Sequence, residues 1–299
     1  METAPSSSTK PIQHRVINGT LYARSATPYA HDIRVHDLGH GHTEATVLPR
    51  YAWSEVDNLS QFALADHEAS KGHIWSGGGW VPYSATETEK LDLAARNIER
   101  STRRARTQVR RLCKSKGLST MLTLTYAENM EDRSRMARDF DVFIKRLRRV
   151  IPAFQYVCVF ERQKRGAWHA HIAVPRILSH YHHGGCVVKS FDLLRSMWRG
   201  VIGAGGNVDV SRNKRIGRSS SKLAGYIAKY IGKSFGSDSE GNSYRASGRA
   251  LPAAVVFRSH PVLWDAFQDL LELLSVDISR SHFHQAWLPV GGAFVSISP

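Results

Sequence analysis

Apolar and polar positions along this 299-residue chain fall into readable periods only from residue 86 onward. Before that, short apolar pieces alternate with turn-rich ones such as His40-Gly41-His42 and Ser76-Gly77-Gly78-Gly79, without a repeat or a clear period. Residues 1–85 are therefore read as an accessory N-terminal region. A helix is predicted from Glu87, capped by Thr86, with Glu87 and Glu89 early and bases late, as the helix dipole favours. Beyond it the two periods interleave. Strand-like alternation covers 121–126, 154–161, 168–174 and 207–211; helical periodicity covers 135–150, 190–199 and 221–233. The segment 234–248, rich in Gly, Ser and charge, is expected to be a loop. Residues 251–299 are expected to supply one helix near 261–274 and a closing strand.

The spacing of two of these strands decides the fold class. Segments 154–161 and 168–174 are joined only by the basic turn 162–167, far too short for a parallel crossover, so they pair antiparallel. The expectation is an α+β fold with a central antiparallel sheet flanked by helices. It divides into an N-terminal region (1–85), a core domain (86–250) and a C-terminal extension (251–299).

Charge then narrows the partners. The chain has 41 Lys+Arg against 26 Asp+Glu, a formal net charge of +15. Such a field favours a polyanion, either nucleic acid or an anionic membrane surface. Residues 99–116 concentrate it: Arg100, Arg103, Arg104, Arg106, Arg110, Arg111, Lys114 and Lys116 stand with one acid, Glu99. That imbalance exceeds ordinary ion pairing along a helix, so the run is expected to contact phosphates. No apolar run approaches a membrane span. The polar N-terminus and the three scattered cysteines, Cys113, Cys158 and Cys186, point to a reduced, cytoplasmic setting.

The candidate chemistry lies in two motifs. In Trp168-His169-Ala170-His171-Ile172-Ala173-Val174 strand parity sends both imidazoles to one face and the apolar residues Trp168, Ala170, Ile172 and Val174 to the other. Glu161 ends the preceding strand, and the hairpin would bring it beside the histidines. Two imidazoles and a carboxylate can hold a divalent ion and leave positions open for substrate. In the helix over 221–233, Lys222, Tyr226, Lys229, Tyr230 and Lys233 fall within one arc, while Leu223, Ala224, Ile227, Ala228 and Ile231 take the opposite side. Tyrosines that share a face with three lysines are poor core residues and candidate nucleophiles. The clusters His180/His182/His183 and His40/His42 read as loops.

These residues resemble a known family. Tyr226 to Lys233 looks like the two-tyrosine motif of rolling-circle replication initiators, as in the gene A proteins of small single-stranded-DNA phages. Residues 168–174 resemble the His-hydrophobic-His motif of the same HUH endonuclease superfamily, and 121–126 its first strand motif. The resemblance covers roughly residues 95–235 in the family's order. It implies an RRM-like core and a Mg2+ or Mn2+ ion held by His169, His171 and a third ligand matching Glu161. It also implies nicking of origin DNA as single strand through a 5′-phosphotyrosine link on Tyr226 or Tyr230, with Lys229 and Lys233 orienting the phosphate. The Gly232-Lys233-Ser234 run lacks the glycine that would complete a P-loop, Ile227 standing in its place. Unwinding and synthesis would then fall to a host helicase and polymerase. The alternatives are an HUH transposase or relaxase of the same chemistry, and a non-catalytic basic nucleic-acid-binding protein.

Overall fold

The computed structural model describes residues 13–17, 20–56, 72–75, 80–82, 84, 86–203, 205–211, 220–234, 244–275 and 282–299. The turn at 76–79 and most of the loop expected at 234–248 lie outside these. Two antiparallel sheets account for most of the strands, and one long helix lies between them.

That helix, α1, runs Glu87–Ser115 and opens with a capping box: the Thr86 side chain accepts from the Glu89 amide, and the Glu89 carboxylate accepts from Thr86. The first sheet follows it. Its strands are β6 (Thr120–Tyr126), β7 (Val157–Arg162), β8 (Trp168–Val174), β11 (Gly206–Ser211) and β12 (Tyr244–Ala246), in the order β11-β6-β8-β7-β12, all antiparallel. The α+β architecture with a central antiparallel sheet is therefore present. The first strand of the hairpin starts at Val157; Phe154 and Tyr156 precede it, buried but outside the ladder.

Helices cover both faces of this sheet. On one side lie α2 (Arg133–Val150) and α3 (Ser190–Ile202), which bury Met136, Phe140, Phe143, Leu147, Leu194 and Trp198 against Trp168, Ala170, Ile172 and Val174. On the other lie α1 and α4 (Ser220–Ser234), whose Val109, Leu112, Leu223, Ile227 and Ile231 close on Val157, Val159 and Ala173. Leu223, Ile227 and Ile231 are fully buried, each contributing roughly 1.5–3 kcal/mol. That anchorage holds α4 on the sheet and frees its other face.

The sequence sets residues 1–85 and 251–299 apart, and the structure joins them. Strands β1 (His14–Ile17), β2 (Thr20–Asp37), β3 (Thr43–Glu55), β13 (Val255–Ser259), β14 (His282–Leu288) and β15 (Gly292–Ser298) form one second sheet. Its path is β1-β2-β3-β15-β14, with β13 also on β2. Helix α5 (Leu263–Leu274) covers it with Ala266, Phe267 and Leu270 on Ile33, Val47 and Val295. Two hairpins complete the described strands: β4 (His73–Trp75) with β5 (Trp80–Pro82), and β9 (His180–His183) with β10 (Cys186–Lys189). The histidine cluster at 180–183 is thus strand, turned at Gly184 and Gly185, whose φ values of 59° and 76° suit a tight hairpin turn.

The second sheet grips the first through α1. Glu44 on β3 is wholly buried and receives Arg110 at 2.8 Å, Arg111 at 2.9 Å and Lys114 at 3.0 Å. Burial pushes its carboxyl up, but the hydrogen bonds and charges of Arg110, Lys114 and Arg111 more than offset this and take it down to about 2. Lys114 also donates to Ser296 on β15.

Candidate active site

The hairpin β7–β8 builds the first half of the site. Glu161 stands opposite His169 and Val159 opposite His171, so Glu161 and both imidazoles share one sheet face. Thr123 on β6 flanks His171 from the other side. Parity sends Trp168, Ala170, Ile172 and Val174 into the core beneath α2 and α3, as the alternation predicts.

All three polar groups are buried, at 8% for Glu161, 9% for His169 and 6% for His171. They are not left without partners. His171 Nε2 lies 2.8 Å from Glu161 Oε2, and its Nδ1 lies 3.3 Å from Thr123 Oγ1. His169 Nδ1 lies 3.0 Å from the Gln163 amide. Burial, then the neighbouring His171 and Arg165, push the His169 pKa down, which favours the neutral imidazole that ligates metals.

The donor set suits a divalent ion by type and by face: two imidazoles, one carboxylate, and a partner on each Nδ1 that fixes the ring. With the Gln163 amide turned so that its oxygen accepts from Nδ1–H, the Nε2 lone pair of His169 is left for an ion. Among the described residues no three His, Cys, Asp or Glu side chains already converge as a metal group, since Glu161 is closed onto His171. Thr123 and Gln163 went unnoticed in the sequence. The parity of β6 carries a signal for Thr123, because Met121, Thr123 and Thr125 alternate with Leu122 and Leu124.

Helix α4 supplies the second half. The Tyr230 ring stacks on His171, with centroids 4.1 Å apart and planes at 16°. Tyr226 meets Tyr230 edge-on at 5.1 Å, and the Tyr230 hydroxyl donates to that of Tyr226. Burial, the bond to Tyr226 and the Glu161 charge all push the Tyr230 pKa well above the usual tyrosine range. Tyr226 is the more open of the two and shares its exposed face with Lys222 and Lys229. The side chain of Lys233 lies outside the described residues.

The N-terminus of α4 is tied to the second sheet. Buried His42 lies 2.5 Å from Ser220 Oγ through Nε2 and 3.0 Å from Ser298 Oγ through Nδ1. Burial, then the charges of Lys114 and His40, lower its pKa from 6.5 to about 4. The folded protein therefore keeps His42 neutral where the unfolded chain protonates it. Its contribution is complete above pH 6.5 and is lost as pH falls from 6.5 towards 4, by at most about 3 kcal/mol. His36 and His169 are depressed in the same direction. Thermal melts across this window should show falling stability, and His42→Gln should flatten the dependence. An equally steep profile in the variant would remove His42 from the account.

The basic run does not form one phosphate-facing stripe. Arg110, Arg111 and Lys114 turn inward onto Glu44, and the Lys116 ammonium donates to Gln155 and to the Ser247 carbonyl. This corrects the expectation for those four residues: a carboxylate buried beneath the helix, and polar groups near its end, claim them first. Arg100, Arg103, Arg104 and Arg106 remain exposed, Arg103 paired with Glu99.

The described residues include no helix long and apolar enough to cross a membrane. No curated protein and no solved structure matches the chain. Residues 119–235, from the first strand of the site to the end of the tyrosine helix, match the model of a family described as replication-associated protein, of the ORF2 type. The segment that builds the site is similar, on that ground, to replication-associated proteins.

Proposed function

We propose that the chain nicks single-stranded DNA at a specific sequence and rejoins strands, starting and ending rolling-circle replication of a phage or plasmid in a bacterial cytoplasm. The observation that carries this is the stack of Tyr230 on His171, which sets two tyrosyl hydroxyls against the face holding His169, His171 and Glu161. Similarity of residues 119–235 to replication-associated proteins supports it.

The tyrosyl oxygen attacks phosphorus in line with the leaving 3′ oxygen. The new O–P bond forms as the P–O3′ bond breaks, the tyrosyl proton departs and the 3′ oxygen takes one up. One phosphate ester replaces another, so a free 3′-OH attacking the phosphotyrosine reverses the step and reseals a strand. His169, His171 and Glu161 would hold a Mg2+ or Mn2+ ion, whose charge polarises the phosphate and offsets that of Glu161. Tyr226, the more exposed tyrosine, meets the incoming phosphate first, and Tyr230 donates to its oxygen from behind. Lys229 and Lys233 orient the phosphate. A host helicase and polymerase complete the reaction.

Incubation with an origin-bearing single-stranded oligonucleotide and Mn2+ tests this. An SDS-stable adduct is expected, and it should vanish with a chelator and with His169→Ala/His171→Ala. Cleavage that survives the chelator would contradict the role of the three donors. Binding without any cleavage would leave only the non-catalytic reading.

Arg100, Arg104 and Arg106 would carry the strand along α1 towards α4. Replacing all three with Ala should lower the slope of log affinity against log salt by roughly two, at about 0.7 per phosphate contact on single strands. An unchanged slope would remove α1 from the DNA path.

A further inference from the structure

The second sheet carries a cleft for which the nicking chemistry has no use. Between Arg24 and Ala30, β2 slips register on β3 twice, on either side of Pro28. Such bulges re-aim side chains. Here they open a cleft of about 710 Å3 whose lining includes Gln13, Arg24, Tyr29, Arg50, Tyr51 and Trp53. That volume falls within the roughly 300–1,000 Å3 of ligand pockets.

The lining is three aromatic rings and two guanidinium groups. The Arg24 guanidinium lies 4.1 Å above the Tyr51 ring. Arg50 Nε donates to the Tyr29 hydroxyl at 2.5 Å, while its Nη1 pairs with Asp32 at 3.2 Å. The rings are thus held in place by the cations, and Tyr29 is 45% exposed. Asp32 sits behind Arg50 and positions it.

We propose that this cleft binds single-stranded nucleic acid, with bases stacked on Tyr29, Tyr51 and Trp53 and the phosphate backbone passing Arg24 and Arg50. Open clefts that pair aromatic faces with arginine accept any base, because every base offers a π face and every linkage a charge. The net charge of +15 draws a polyanion rather than a neutral ligand. The proposal rests on the reading of the chain as a single-strand DNA enzyme. It gives the N-terminal strands the task of holding that strand apart from the tyrosines.

The test uses full-length protein carrying Tyr226→Phe/Tyr230→Phe, so that no cleavage intervenes, and a fluorescent oligothymidylate with no nick site. Adding Tyr51→Ala/Trp53→Ala should weaken binding by about tenfold or more, given the usual size of base–aromatic stacking. Arg24→Gln should weaken it less and make it less salt-dependent, and duplex DNA should compete poorly. With both catalytic tyrosines restored, Tyr51→Ala/Trp53→Ala should still nick a short oligonucleotide at saturating concentration. Unchanged oligothymidylate affinity in both cleft variants, or equal competition by duplex, overturns the proposal whatever the nicking result. If the double cleft variant does not fold, Arg24→Gln decides alone. Cleft-dependent binding in a chain that never nicks would uphold the cleft and sink the nicking function instead.

Discussion

Tyr226→Phe combined with Tyr230→Phe is expected to abolish nicking, by about 10^4-fold or more, while leaving the fold and DNA affinity intact. The expectation rests on how little the change removes. Phenylalanine keeps the ring that stacks on His171 and the edge contact between the two side chains, and deletes only the two hydroxyls. The single variants should differ. Tyr230→Phe should still form a first adduct through the exposed Tyr226, more slowly because the supporting hydrogen bond is gone. Tyr226→Phe should lose the first adduct. Single-turnover cleavage, with circular dichroism to confirm folding, measures all three. Wild-type cleavage by the double variant would mean that neither tyrosine attacks.

The largest effect on stability is expected at Glu44. Glu44→Ala should cost about 3–5 kcal/mol, because it leaves buried Lys114 beside Arg110 and Arg111 with no counter-charge. Against a total of about 5–15 kcal/mol for an ordinary domain, that is enough to loosen the second sheet from α1. Burial and the two arginines already push the Lys114 pKa down, and Glu44 is what pulls it back. Glu44→Gln, which keeps acceptor geometry without the charge, should fall between the two. Denaturant titration reads the difference. A cost below about 1 kcal/mol for Glu44→Ala would show that the cluster does not hold the sheets together.

Features written locally were legible in the sequence. The parity of β8, the short turn after Glu161, the Thr86–Glu89 cap and the two faces of α4 are all decided by neighbours within a few residues. So the candidate site was readable: the hairpin and the helix each show their polar side in sequence, and the fold brings those sides together. What could not be read depends on distant partners. Glu44 meets its cations on an element far along the chain, so a run that reads as phosphate-facing loses Arg110, Arg111 and Lys114 to it.

The second sheet was hidden for a related reason. Pro28 and the two register slips break the period of β2, and its neighbours β13 and β15 come from the other end of the chain. At three residues, β12 is too short to show alternation. His180, His182 and His183 look like a loop because their strand has no apolar face to mark it.

The most direct measurement is the identity of the residue that carries the DNA. Peptides from the SDS-stable adduct, formed with Mn2+ on an origin oligonucleotide and analysed by mass spectrometry, should show a 5′-phosphonucleotide on Tyr226, with Tyr230 carrying it when Tyr226 is absent or already used. The same preparation made with a chelator, or from His169→Ala/His171→Ala, should show none. Nucleotide attached to any other residue, or DNA cleaved with no covalent adduct at all, would contradict the account.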